Sequence, residues 1–188
     1  MRINPINPDS MSIEVRFVHD EIFKLITHSQ GPVAMTNDEG ALTGPFPPML
    51  AFPKFGIPAL SFVRSLDNHA ALPKKIREVA ILTVGAAFGA RFELYAHEIM
   101  ANHFGVSPEA IASLASGIRP AELNQEESAA YEIASVLAKG KIIPDSTYNL
   151  GTAILGKDGI AELIFLVGAY TLLAMVLNGF DVPVPEVN

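Results

Sequence analysis

Cysteine is absent from all 188 residues. That absence removes disulfides, thiolate nucleophiles and cysteine-ligated metals together, and it fits a cytoplasmic protein. Positive charge is also scarce. Thirteen Lys and Arg stand against 20 Asp and Glu, for a formal net charge of −7, and no long Lys/Arg cluster occurs. Sequence-independent nucleic-acid binding needs a basic surface, so no nucleic-acid partner is expected. The opening MRINPINPDS lacks the apolar core of a signal peptide. No Gly-rich phosphate loop or nucleotide fingerprint is present. His97-Glu98 starts like a zincin motif, but the position four after His97 is Ala101. No metal and no cofactor are therefore expected. Strand-like alternation and internal repeats are missing too.

What is there is apolar and helical. Hydrophobic residues make up 49% of the chain, enough for a sizeable core. The expectation is one all-α domain over residues 1–188, with an N-terminal extension at 1–58 and a core motif region at 73–117. Val15, Val18, Ile22, Leu25 and Ile26 recur at helical spacing. Gly31 to Pro58, rich in Pro and Gly, is expected to be mostly loop with short helical turns; loops of that length are often functional. A short helix follows from Ala59 to Leu66. Pro73 suits the first position of a helix through Phe88, which Gly85 and Gly89 weaken or end. Arg91 to Phe104 forms the next helix, closed by Gly105. Ser107-Pro108-Glu109 and the Asn124/Glu127 pair mark two further helix starts. Gly117 and Gly140 end those helices. Ser146 to Leu155 and a helix capped by Asp158 complete the order.

The stretch Ile160–Leu177 is nearly all apolar, with Glu162 as its only charge. Its length reaches the lower range for a membrane span. Gly168, Tyr170 and Thr171 dilute it and no Lys/Arg flank follows, so a buried helix or subunit interface is expected, and no membrane. Glu162 is expected to face water or to complement the helix N-terminus.

Ionisable residues inside apolar helices cost desolvation free energy unless they pair. Glu93 and His97 lie four residues apart on one helix face that continues to Met100 and Phe104. That pattern suits an acid/base couple, with His97 transferring protons next to a carbonyl and Glu93 orienting it. An ordinary helix-surface pair is the alternative. Glu78 sits among apolar neighbours; its alternative is a salt bridge with Arg77, Lys74 or Lys75. Arg77 and Arg91 could hold a substrate carboxylate or simply pair with acids. Arg91, in the turn before the motif helix, is read as an ion pair. Tyr95 is read as packing, His103 falls off the His97 face, and His19, His28 and His69 are isolated.

The run Arg77-Glu78, Glu93-Leu-Tyr-Ala-His97-Glu98 and Gly105-Val-Ser-Pro-Glu109 resembles the carboxymuconolactone decarboxylase family, whose superfamily includes the alkyl hydroperoxidase D proteins. The likeness extends to Leu42-Thr-Gly-Pro-Phe46 and to the apolar C-terminal run ending Asn178-Gly-Phe-Asp-Val-Pro-Val-Pro-Glu186. The peroxidase branch carries a glutamate on one helix and Cys-x-x-Cys-x-x-x-His on the next. Laid on this chain, the glutamate falls on Glu78, the histidine on His97, and the cysteines on Ala90 and Glu93. The Glu-x-x-x-His form looks more like the decarboxylase side. The resemblance implies a helical alkyl hydroperoxidase D-like fold with a central two-helix hairpin. It implies a small-molecule acid/base enzyme acting on a lactone or carbonyl acid, with Glu78 relaying protons to His97. A peroxidase-related antioxidant protein without its redox cysteines is one alternative, and a non-catalytic oligomeric binding protein another. A homo-oligomer is expected, with the trimer or hexamer favoured over the dimer.

Overall fold

The computed structural model describes residues 1–26 and 32–185. Among these are eight α-helices and a short 3-10 turn at Pro8–Ser10. The helices are α1 (Ile13–Ile26), α2 (Phe46–Ala51), α3 (Pro53–Asn68), α4 (Lys74–Phe88), α5 (Arg91–His103), α6 (Pro108–Ala115), α7 (Gln125–Leu137) and α8 (Asp145–Gly179). The one bridge among the described residues joins Thr36 and Leu42.

α4 is the centre. Every residue from Ile76 to Gly85 is buried. A helix apolar on all sides has no solvent face, and α5, α6, α7 and α8 enclose it. Val79, Leu82, Ile133, Leu163 and Leu166 are fully buried together in this main core. α4 ends at Gly89, whose φ of 58° is left-handed, and the chain turns straight into α5. Helix starts further on follow the local chemistry. The Ser107 hydroxyl accepts from the Ala110 N–H, and Asn124 and Glu127 form a complete capping box.

Two local expectations are corrected. Pro73 is the N-cap of α4 rather than its first residue: its ψ of 143° is extended, and its carbonyl accepts from Ile76 and Arg77. Helix α3 begins at Pro53 and runs through Pro58 instead of following it. Proline at the first helical position sacrifices no hydrogen bond, whereas Pro58, the sixth residue, lacks the N–H that would bond Lys54 and is carried inside the helix. The span α8 is two helices meeting at a break at Gly156, where φ is 74° and ψ is 171°, as the sequence places it.

Glu162 is corrected as well. It is buried, and its Oε2 accepts from the backbone N–H groups of Ala71 and Leu72 at 2.5 and 2.8 Å. Its other oxygen lies 3.3 Å from Arg77 Nε. The single carboxylate of the apolar run therefore ties α8 to the α3–α4 connection. α8 is long and apolar enough to cross a membrane, but half of its most apolar stretch is buried within the chain.

The N-terminal third packs onto the other side of α8. Ile22, Leu42, Phe46, Met49 and Leu60 form a second core with Leu173. Gly44 fixes how closely this layer approaches. Its φ is +62°, and a Cβ there would stand 2.6 Å from the Phe92 ring of α5. The 33–46 segment thus lies directly on α5 and becomes a wall of the cavity described next.

Candidate active site

A cavity of about 170 Å³ lies between α3, α4, α5, α8 and the 33–46 segment. Its apolar walls include Met35, Phe46, Val63, Phe92, Met100 and Leu173. The long Pro/Gly-rich stretch earns its length here, by closing one side.

His97, on α5, faces Glu78, on α4. Its Nδ1 lies 2.7 Å from Glu78 Oε2, with the two side chains 16% and 6% exposed. The antiparallel α4–α5 hairpin brings these positions level. A carboxylate acceptor at Nδ1 puts the ring proton there and leaves the Nε2 lone pair free. Nε2 has no protein partner among the described residues. Tyr170 of α8 stands edge-on to the imidazole, with centroids 5.0 Å apart at 87°, and fixes the ring from a third side.

The expected Glu93–His97 couple is not formed. Glu93 sits a turn earlier, beside Gly85 of α4, where a Cβ would stand 3.4 Å from Glu93 Oε1. Side chains on a helix lean toward its N-terminus, so Glu93 tilts to the hairpin turn while His97 meets Glu78. Glu93 borders the same cavity, yet it is 3% exposed and neither carboxyl oxygen has a partner. Burial pushes its carboxyl well above the usual range and so favours the protonated form. An unpartnered buried polar group costs about 1–3 kcal/mol, which marks Glu93 as a group awaiting a partner.

Arg77 also differs from the substrate-binding expectation. It is buried and lines the cavity, but its guanidinium is engaged: Nη1 is 2.7 Å from Asp67 and Nε is 3.3 Å from Glu162. A cation balanced by two acids is poorly placed to bind a third. Arg64 and Lys74 line the cavity instead without an anionic partner among the described residues, and Lys74 lies 5.2 Å over the Phe104 ring. Neither was singled out by motif spacing, because both come from outside the motif helix.

The remaining candidates fall away from the cavity. Arg91 pairs with Asp181 at 3.0 Å, Tyr95 packs against Phe92, and His103 is exposed beside Phe104. His69 bonds the Ser65 carbonyl, and His19 bonds Asp20. His28 lies outside the described residues. Among the described residues no group of three His, Asp or Glu is arranged to hold a metal ion.

Residues 60–135 match the model of the carboxymuconolactone decarboxylase family. The span includes α4, α5 and both members of the hydrogen-bonded Glu78–His97 dyad. That segment is similar to the carboxymuconolactone decarboxylase family, in a chain that holds no cysteine. Two solved structures share its fold. The debrominase Bmp8 in its apo form aligns with a TM-score of 0.70 at 10% identity, over 97% of this chain and 91% of that one. A cysteine-to-alanine variant of Bmp8, in complex with 2,3,4-tribromopyrrole, aligns with a TM-score of 0.71 at 10% identity, over 98% and 92%. At that identity the likeness speaks for the all-α fold alone. No curated protein matches the chain.

Proposed function

We propose that the protein is a cofactor-independent acid/base enzyme acting on a small, mainly apolar carbonyl acid or lactone. The observation that carries this reading is the 2.7 Å bond between His97 Nδ1 and Glu78 at the wall of the cavity. Nε2 is the base. It takes a proton from the carbon beside the carbonyl, and the C–H electron pair becomes the C=C bond of an enolate. The imidazolium, balanced by Glu78, then returns the proton to carbon. In a β-keto acid the C–C pair supplies the same enolate as carbon dioxide leaves, and a protonated His97 delivers a proton to carbon. Arg64 and Lys74 would hold the acid group at the cavity lip. A screen of small lactones and β-keto acids, read by product formation with and without His97, tests the assignment.

The comparisons support kinship with alkyl hydroperoxidase D-type proteins lacking redox cysteines more directly than any one reaction. Dithiol peroxidase turnover needs one thiolate to attack and a second thiol to resolve. This chain holds neither. No hydroperoxide consumption driven by a dithiol reductant is expected. A peroxide assay in which the folded protein consumed the reductant would contradict the acid/base reading.

The same reading includes self-association. Phe55 and Phe62 of α3 and Phe165, Leu172 and Met175 of α8 leave large apolar surfaces exposed, and the Phe62 and Phe165 rings meet edge to face. A second copy would cover them. Light scattering at micromolar concentration is expected to give an oligomer, and a monomer would oppose this.

A further inference from the structure

The proton-transfer scheme uses His97 and Glu78 and leaves two polar side chains of the same cavity without a task. Tyr170 borders the cavity and its hydroxyl has no hydrogen-bond partner among the described residues. Its burial, reinforced by the nearby Glu78 charge, holds the phenol well above its ordinary range, so it is a neutral O–H donor. Glu93 is the second. Its burial likewise favours the protonated form, its oxygens are unpartnered among the described residues, and it lies one helical turn from His97 on α5. The two stand on different helices of one cavity, and Tyr170 lies edge-on to the His97 ring. The other ionisable groups at the cavity make no hydrogen bond to these two among the described residues: Asp67 pairs with Arg77, which also faces Glu162, Glu78 accepts from His97, and Arg64 and Lys74 are cations.

We infer that Tyr170 and Glu93 form a two-donor site for a single substrate oxygen, one that becomes an enolate oxygen as His97 removes the neighbouring proton. The ligand class is then a carbonyl compound that reacts through its enolate, with both O–H groups converging on the carbonyl oxygen. The inference rests on the acid/base reading of His97. As the C–H pair becomes the C=C bond, the carbonyl π pair moves onto oxygen, where the two donors hold it. Return of the proton from imidazolium to another carbon completes an isomerisation with no other reactant. A tyrosine hydroxyl with a buried carboxylic acid is a sound way to hold such an oxygen, because burial favours the protonated form of each donor. The Glu93 oxygens are shielded from solvent, but the terminal torsion of a glutamate is soft and the side chain already borders the lumen.

The test uses para-nitrophenol as an oxyanion probe, followed by its phenolate absorbance. Wild-type protein is expected to bind the phenolate saturably. Tyr170→Phe and Glu93→Leu should each weaken binding about 10- to 100-fold, the usual effect of losing a hydrogen bond to a charged group. Glu93→Gln keeps an N–H donor and should stay within about threefold of wild type. It should also fold. Above the ordinary carboxyl range the unfolded chain ionises Glu93 while the folded chain retains the proton, so the native residue costs stability there and a neutral amide does not. An infrared band from a protonated carboxyl at neutral pH, lost in Glu93→Gln, is the second expected result and is independent of how Glu93→Leu folds. Unchanged phenolate affinity in Tyr170→Phe, or no such infrared band, would overturn the donor pair. If His97→Asn kept full turnover while phenolate binding still needed Tyr170 and Glu93, the acid/base assignment would fail and the donor pair would stand.

Discussion

His97→Asn is expected to lower turnover by about two to four orders of magnitude, the usual contribution of a positioned acid/base group. The choice of asparagine follows from the geometry. Its side-chain nitrogen stands about where the histidine Nδ1 stood, so it can still donate to Glu78, whose side chain is only 6% exposed. What disappears is Nε2, the atom with no protein partner. Losing the imidazole while keeping the carboxylate's partner separates catalysis from folding. The thermal midpoint should therefore move little while turnover collapses. Glu78→Gln is expected to cost less, because an amide oxygen still accepts from Nδ1 but no longer balances the imidazolium. Near-normal turnover in His97→Asn would remove His97 from the mechanism. Unfolding of that variant would make the 2.7 Å bond a structural tie instead.

Arg77→Met is expected to be the most damaging stability change in the site region. The guanidinium is 6% exposed and joins three elements: its own α4, Asp67 of α3 and Glu162 of α8. Removing it leaves the Glu162 carboxylate buried with only the Ala71 and Leu72 N–H groups for support. Breaking one side of a buried ion pair costs about 3–5 kcal/mol. The two remaining N–H bonds place Arg77→Met toward the lower end of that range. Adding Glu162→Gln should recover part of the loss, since the lone charge then disappears, and the recovery is the signature of coupling. Urea unfolding of the single and double variants measures both quantities. A loss below about 1 kcal/mol for Arg77→Met would place the pair among surface-like bridges of little worth.

Most of the fold was legible because punctuation and periodicity agreed. Gly89, Gly105, Gly117 and Gly140 all take positive φ, three of them next to helix ends, and Ser107 and Asn124 cap helices as their spacing implies. Local signals misjudged α3 because a proline at the first helical position forfeits nothing and Pro58 is carried inside the helix. The site was legible only within one helix. Glu93 and His97 share an α5 face, but which carboxyl reaches the imidazole depends on how α5 crosses α4, and that crossing brings up Glu78. Tyr170 was read only as a residue diluting an apolar run, because that run was weighed for hydrophobicity. A tyrosine inside such a helix still carries a hydroxyl that needs a partner, and that was the available signal. Glu162 misled for a related reason: its place in an apolar run says that it is costly to bury, while its partners, Ala71, Leu72 and Arg77, come from some ninety residues away.

The most direct measurement is solvent-deuterium exchange into the carbon beside the carbonyl, followed by NMR across a panel of small lactones and oxo acids in heavy water. Proton transfer at carbon by His97 predicts exchange into at least one compound with wild-type protein. The same exchange should be about a hundredfold or more slower with His97→Asn. Exchange at equal rates in both proteins, or none with any compound that demonstrably binds the cavity, would contradict the acid/base site.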